Sequence, residues 1–192
     1  MKTPCKVALL GAECTGKSSL TTLLGLRLAD LDVATVGEYL REWCLASGRT
    51  PRREEQAPIA AEQSRRIAAA AQNHRLVVAD TTALMTALYS IHYFEDATAL
   101  PDAVRAQQAF DLTLLCCPEG IPWQADGWLR ESPAVRRQAH EALVALLQAQ
   151  GLPFTVLSGP LDERAALAEM LIRSLPTLRR PHPAWAAERA RG

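Results

Sequence analysis

Residues Gly11 to Ser18 read GAECTGKS, which fits G-x-x-x-x-G-K-[ST], and no other stretch narrows the fold of this chain as far. The motif needs a strand before it and a helix after it. The apolar run Cys5-Lys6-Val7-Ala8-Leu9-Leu10 predicts the strand, and Ser19-Leu20-Thr21-Thr22-Leu23-Leu24 reads as the opening of the helix. Gly11 and Gly16 let the backbone turn tightly and aim its N–H groups at an anion. The loop residues Glu13, Cys14, Thr15, Gly16, Lys17, Ser18 and Ser19 would then surround a phosphate chain, with the helix N-terminus adding a favourable dipole. Lys17 is expected to reach the β- and γ-phosphates of a nucleoside triphosphate, and Ser18 to ligate Mg²⁺.

Size and charge bound the rest. The chain has 192 residues, enough for one α/β domain with a small lid. With 21 basic and 21 acidic residues the net charge is zero, which argues against a dedicated nucleic-acid binder. The first residues lack the pattern of a signal peptide, and no apolar run approaches the ~18 residues of a membrane span. Five cysteines, none in a C-x-x-C pair, fit a reduced cytoplasmic setting. Cys14 lies in the phosphate loop; it is read as contributing mainly its backbone N–H, a redox-sensitive thiol being the alternative. His74, His92, His140 and His182 are scattered and receive no metal or catalytic role.

Five strands are predicted, at Cys5–Leu10, Val33–Val36, Leu76–Asp80, Leu112–Cys117 and Phe154–Leu157. None alternates cleanly with period two, as expected of strands buried on both faces. Helical segments lie between and after them: Lys17–Ala29, Glu54–Asn73, Thr82–His92, Pro133–Gln150 and Asp162–Leu175. The alternation predicts a doubly wound, parallel five-stranded α/β sheet. Residues 118–132 form a long Pro/Gly-containing loop with two Trp and one Arg, and loops of that length in compact domains are usually functional. The expected organisation is a P-loop domain over 1–175, with a lid at about 118–137, and an extended or disordered tail over 176–192.

Leu76-Val77-Val78-Ala79-Asp80 ends a strand on a carboxylate. Asp80 could hold Mg²⁺ or contact the acceptor beside the phosphate loop, or could cap the next helix. The base-reading N-K-x-D and γ-phosphate-sensing D-x-x-G motifs of GTPases are absent. A small kinase whose lid excludes water is the economical reading.

The chain resembles the ribosylnicotinamide kinase domain of the bifunctional bacterial NAD-biosynthesis regulator and its stand-alone AAA-type relatives. The residues that carry the likeness are the phosphate loop, Glu38-Tyr39-Leu40-Arg41-Glu42, Ile59-Ala60-Ala61-Glu62-Gln63, Asp80-Thr81-Thr82, Pro122-Trp123-Gln124-Ala125-Asp126-Gly127 and Ser158-Gly159. It spans about Lys6 to about Ser174. Three departures bear on the acceptor: Trp128-Leu129 precede Arg130, one residue more than the family's D-G-L-R; Thr82 replaces a frequent Asp; and Gly37 stands where some relatives have an aromatic. The regulator's adenylyltransferase and DNA-binding domains find no room here, so no transcriptional role is expected.

The resemblance implies ATP- and Mg²⁺-dependent phosphorylation of nicotinamide riboside to the mononucleotide, in NAD salvage. Another nucleoside or a vitamin-like alcohol is the alternative acceptor, and an ATP-dependent regulatory protein is the alternative class. Partners would be a small-molecule nucleoside, with neither nucleic acid nor membrane, and a homo-oligomer stays open. Asp80 is favoured for the acceptor hydroxyl and the metal, with Glu38 as the competing base unless it pairs with Arg41. Tyr39 and Trp43 could stack on a flat cationic base or simply lie on a helix face. Trp123 and Asp126 are lid candidates for the substrate, and Arg41 could bind acceptor or phosphate. Arg130 and Arg136 are the candidates to stabilise the transferring phosphoryl group.

Overall fold

The computed structural model describes residues 4–125 and 132–179. Five strands, β1 (Cys5–Leu10), β2 (Val33–Val36), β3 (Leu76–Asp80), β4 (Leu112–Cys116) and β5 (Thr155–Leu157), form one sheet in the order β2-β3-β1-β4-β5. Every pairing is parallel. Parallel neighbours need crossover helices, and these cover both faces of the sheet. They are α1 (Lys17–Arg27), α2 (Tyr39–Ser47), α3 (Arg53–Asn73), α4 (Ala83–Phe94), α5 (Leu100–Gln108), α6 (Pro133–Ala149) and α7 (Leu161–Ser174), followed by a short α8 (Pro176–Arg179).

The two-sided burial explains the unbroken apolar runs. In β1, Val7 and Leu9 join one core with Leu20 and Leu24 of α1 and Ala165, Ala168 and Ile172 of α7. Ala8 and Leu10 point the other way, into a core with Leu84 and Leu88 of α4 and Leu143 and Leu147 of α6. Period two is present in direction and absent in polarity. Val36 and Ile67 close a third cluster with Val77 and Ala79, where α3 covers β2 and β3.

The first three strands keep their predicted bounds, β4 stops one residue earlier, and β5 starts one later. Helix α1 ends at Arg27 rather than Ala29, because a 3-10 turn at Ala29–Leu31 and a left-handed Asp32 (φ 54°) turn the chain into β2. Helices α2 and α5 are absent from the predicted set. Gly48, in the left-handed region (φ 67°), stops α2 after nine residues, and Pro101 sits in the first turn of α5, where a missing N–H costs no bond. The predicted extended tail begins instead with α8; residues 180–192 lie outside the described residues. Among the described residues no helix is long and apolar enough to cross a membrane.

Strand order places the C-terminal ends of β1, β3 and β4 side by side, which is where open α/β sheets carry their ligands. Leu114, fully buried in the first core, tests the packing beneath that edge. Leu114→Ala is expected to lower stability by about 2–5 kcal/mol in urea unfolding, through lost burial and a residual cavity.

Candidate active site

The segment Gly11–Gly16 leaves β1 and feeds α1. Gly11 has φ 151°, and a Cβ there would stand 2.9 Å from both the Cys116 carbonyl and Thr15 Oγ1. Only glycine lets the loop pass so close to the end of β4. Thr15 Oγ1 donates to the Ala12 carbonyl at 2.8 Å, and Lys17 Nζ donates to the Gly11 and Ala12 carbonyls at 2.8 and 2.9 Å. Lys17 thus lies folded on its own loop, rather than extended toward a phosphate. A phosphate oxygen entering the loop would replace those carbonyls with a charge-assisted partner.

Ser18 Oγ donates to Asp80 Oδ2 at 2.6 Å. Asp80 is buried, and its Oδ1 has no partner. The alternative capping role falls to another residue: the Thr82 hydroxyl accepts from Leu84 N and starts α4. A serine hydroxyl beside a carboxylate with one unused oxygen is a donor set suited to Mg²⁺.

Glu38, two residues past the end of β2, holds the N-cap position of α2 without a side-chain cap bond and lines the large cavity, whereas Asp80 sits behind Ser18, away from the lining. Gln63 of α3, 1% exposed, ties the two strand ends together. Its Nε2 donates to the carbonyls of Gly37 and Thr81 at 3.2 and 3.3 Å, and its Oε1 accepts from Tyr39 N at 2.8 Å. Thr81 has φ 70°, a strained conformation for a β-branched side chain, costing about 1–3 kcal/mol. The bond from Thr81 N to the Leu9 carbonyl, at 3.0 Å, and the Gln63 amide hold it there. The sequence carries Gln63 within the family pattern but gives it no task.

Two expected stacking residues are already occupied. The Arg66 guanidinium lies 4.3 Å from the Tyr39 ring and pairs with Glu42 and Glu62 at 2.5 and 2.9 Å. Arg49 lies 4.9 Å from the Trp43 ring and grips Glu55 with both terminal nitrogens, at 2.7 and 2.6 Å. That grip pulls the Glu55 carboxyl down to about 2. The aromatic lining comes instead from α4, as Tyr89, Tyr93 and Phe94, together with Leu40, Arg41, Cys44 and Gln56. Of these, only Tyr89 falls in the predicted helix Thr82–His92; α4 runs on to Phe94 and so brings in Tyr93 and Phe94. Burial, with Glu38 and Glu13 nearby, raises the Tyr89 phenol well above its ordinary pKa, so it stays a neutral hydrogen-bonding group.

Arg136 is drawn to the phosphate loop. Its Nη1 donates to the carbonyls of Cys14 and Ile121 at 3.2 and 3.1 Å, with Trp123 stacked at 5.5 Å. Trp123 therefore packs on Arg136 and is not part of the cavity lining. The Cys14 thiol, expected to be idle, bridges the same segment: it donates to the Pro122 carbonyl at 3.6 Å and accepts from Gln124 N at 3.3 Å. Asp126 and Arg130 lie outside the described residues. Arg164, on the first turn of α7, was missed by sequence reasoning altogether. Its Nη1 donates to the Thr15 carbonyl at 2.7 Å, and its Nη2 would stand 3.1 Å from a Cβ on Gly16. No local pattern marks it; only the return of β5 beside β4 brings it under the loop.

The cavity measures about 990 Å³, and its lining includes Lys17, Ser18 and Ser19 as well as Glu38, Tyr89 and Tyr93. It is large enough for a nucleotide and a second small molecule. No curated protein matches the sequence. Among solved structures, the fold is similar to NadR protein in complex with NR (TM-score 0.70, 20% identity, 94% of this chain and 54% of that one). It is equally similar to NadR protein in complex with NAD and AMP-PNP (0.70, 21%, 94% and 51%). This chain thus spans about half of the NadR chains. Thymidylate kinases share the fold at lower identity. That from Candida albicans has TM-score 0.65 and 12% identity, with 92% of this chain and 94% of that one covered. That from Ehrlichia chaffeensis has 0.61 and 10%, with 88% and 98% covered. These likenesses establish a nucleoside- and nucleotide-kinase-type P-loop fold. A family model described as an AAA domain matches residues 6–164, and the chain belongs to that family.

Proposed function

We propose that the protein is an ATP- and Mg²⁺-dependent kinase that phosphorylates nicotinamide riboside on its ribose hydroxyl. The observation that carries this reading is the shared cavity. Its lining includes the phosphate-loop residues Glu13 to Ser18, with Ser18 bonded to Asp80, and it also includes Glu38 and three aromatic rings of α4. A flat cationic ring is attracted by aromatic faces and by carboxylates. The NadR structures, one solved with NR and another with NAD and AMP-PNP, support a site of this kind.

In this reading the loop amides and the N-terminus of α1 bind the phosphate chain, and Lys17 exchanges its carbonyl partners for phosphate oxygens. Ser18 and Asp80 would hold Mg²⁺, which would supply charge neutralisation when bound. Glu38, the strand-end carboxylate on the cavity, accepts the proton of the attacking hydroxyl, reversing the preference for Asp80 drawn from sequence. Arg136 holds residue 121 to the loop and thereby fixes the approach of the segment that follows β4. Arg41, Arg49 and Arg52 line the same cavity, and they favour one second reading, an acceptor that already carries a phosphate.

The test is ADP release with Mg²⁺-ATP, with and without nicotinamide riboside, with the product identified by mass. Strong stimulation with mononucleotide formation is the expected result. Stimulation only by a nucleoside monophosphate would move the acceptor to the second reading, and hydrolysis indifferent to any acceptor would favour a regulatory ATPase. Lys17→Ala is expected to lower turnover by about 10²-fold or more while the urea midpoint holds. Gln63→Leu strands two carbonyls and one N–H, so stability should fall by about 2–4 kcal/mol. In the same variant kcat should fall and KM for ATP rise, because the clamp holds Thr81 beside Asp80 as well as the backbone on either side of Glu38. Unchanged kinetics in the folded variant would contradict that assignment.

A further inference from the structure

Arg164 is a buried cation with too few partners. It is 5% exposed and lines the cavity, and among the described residues it forms no ion pair. A guanidinium offers five N–H donors. Here one donates to the Thr15 carbonyl, the Cys116 thiol takes another contact, and Nε has no partner. Its place in the first turn of α7 also sets its charge against the positive end of that helix dipole. Lys17 is buried close by; both cations act on the Cys116 thiol, as does the Asp80 carboxylate. Lys17 and Arg164 line the cavity together with the half-buried Glu13, and the buried Asp80 carboxylate lies behind Ser18, bonded to it. Arg164 itself has no ion pair among the described residues, and a buried cation without one is unfavourable, so an entering anion would complete its set of partners.

We propose that Arg164 is a phosphate-reading residue of the nucleotide site, with the bound polyphosphate as its counter-ion. The proposal rests on the nucleotide-binding part of the proposed function and is independent of the acceptor. It differs from a purely mechanical role, in which Arg164 would only prop the Thr15 carbonyl. It also differs from a base contact, in which the guanidinium would stack on the purine.

The experiment measures binding of tripolyphosphate, Mg²⁺-ATP and adenosine to the full chain by calorimetry, with thermal unfolding in the absence and presence of each. Arg164→Gln keeps a donor for the Thr15 carbonyl and removes the charge. It is expected to unfold without ligand at or above the wild-type temperature, while its affinity for tripolyphosphate and ATP falls about tenfold or more. Adenosine affinity should stay as in wild type, and Arg164→Lys should recover part of the polyphosphate affinity. A variant destabilised equally with and without tripolyphosphate, at unchanged affinity, would show a prop and overturn the proposal. Loss of adenosine affinity to the same degree as ATP would show a base contact and overturn it as well. Should Arg164→Gln fail to fold, Arg164→Lys replaces it: a loss of tripolyphosphate and ATP affinity with adenosine affinity unchanged supports the proposal, and unchanged polyphosphate affinity overturns it. Wild-type protein that binds neither ATP nor tripolyphosphate would remove the nucleotide site itself. Normal binding without acceptor turnover would remove only the kinase reading.

Discussion

The 2.6 Å hydrogen bond from Ser18 to Asp80 is where the sheet becomes a site. Leu9 of β1 is in register with Asp80 of β3, so the residues that follow the two strands leave the sheet side by side. Ser18 reaches Asp80 because the loop returns tightly enough to start α1 directly behind β1. That return depends on Gly11, whose missing Cβ lets the backbone pass the Cys116 carbonyl. Register, glycine and hydrogen bond form one chain of causes. A residue added to either strand end would separate the two oxygens and leave the carboxylate buried and unpaired.

Burial governs the cysteines of the core in the same way. Desolvation pushes the Cys5 and Cys116 thiols up to about 11, and for Cys116 it does so against the pull of Lys17 and Arg164. Both therefore behave as small hydrophobes with weak hydrogen-bonding capacity. Cys14 is different in kind, since its thiol joins the loop to the backbone of Pro122 and Gln124.

The sheet was legible because parallel strands buried on both faces must read as unbroken apolar runs, and three of five bounds came out to the residue. The phosphate loop was legible because its chemistry is local. What the sequence hid is tertiary. Tyr39 and Trp43 look like stacking platforms until α3 and the α2–α3 turn bring Arg66 and Arg49 onto their faces. Tyr89 and Tyr93 carry no local signal of a site, and only the packing of α4 brings them to the cavity. Gln63 and Arg164 bind main-chain atoms 18 to 149 residues away, and side chain-to-backbone contacts at that range leave no periodicity to detect.

The loop is also oriented from outside. A peptide carbonyl and the N–H of the next residue point in opposite directions. Arg136 of α6 holds the Cys14 carbonyl, and Arg164 of α7 holds the Thr15 carbonyl. Two guanidiniums from different helices thereby fix the peptides that carry the N–H groups of Thr15 and Gly16. The same two cations add positive charge beside the loop, so the field there favours an anion. Arg136 also carries the Ile121 carbonyl and the Trp123 ring, so the loop and the segment after β4 share a single guanidinium. An anion that reorganises the loop must therefore act on that segment as well. Arg136 thus ties the geometry of the loop to that of the segment after β4 through one side chain.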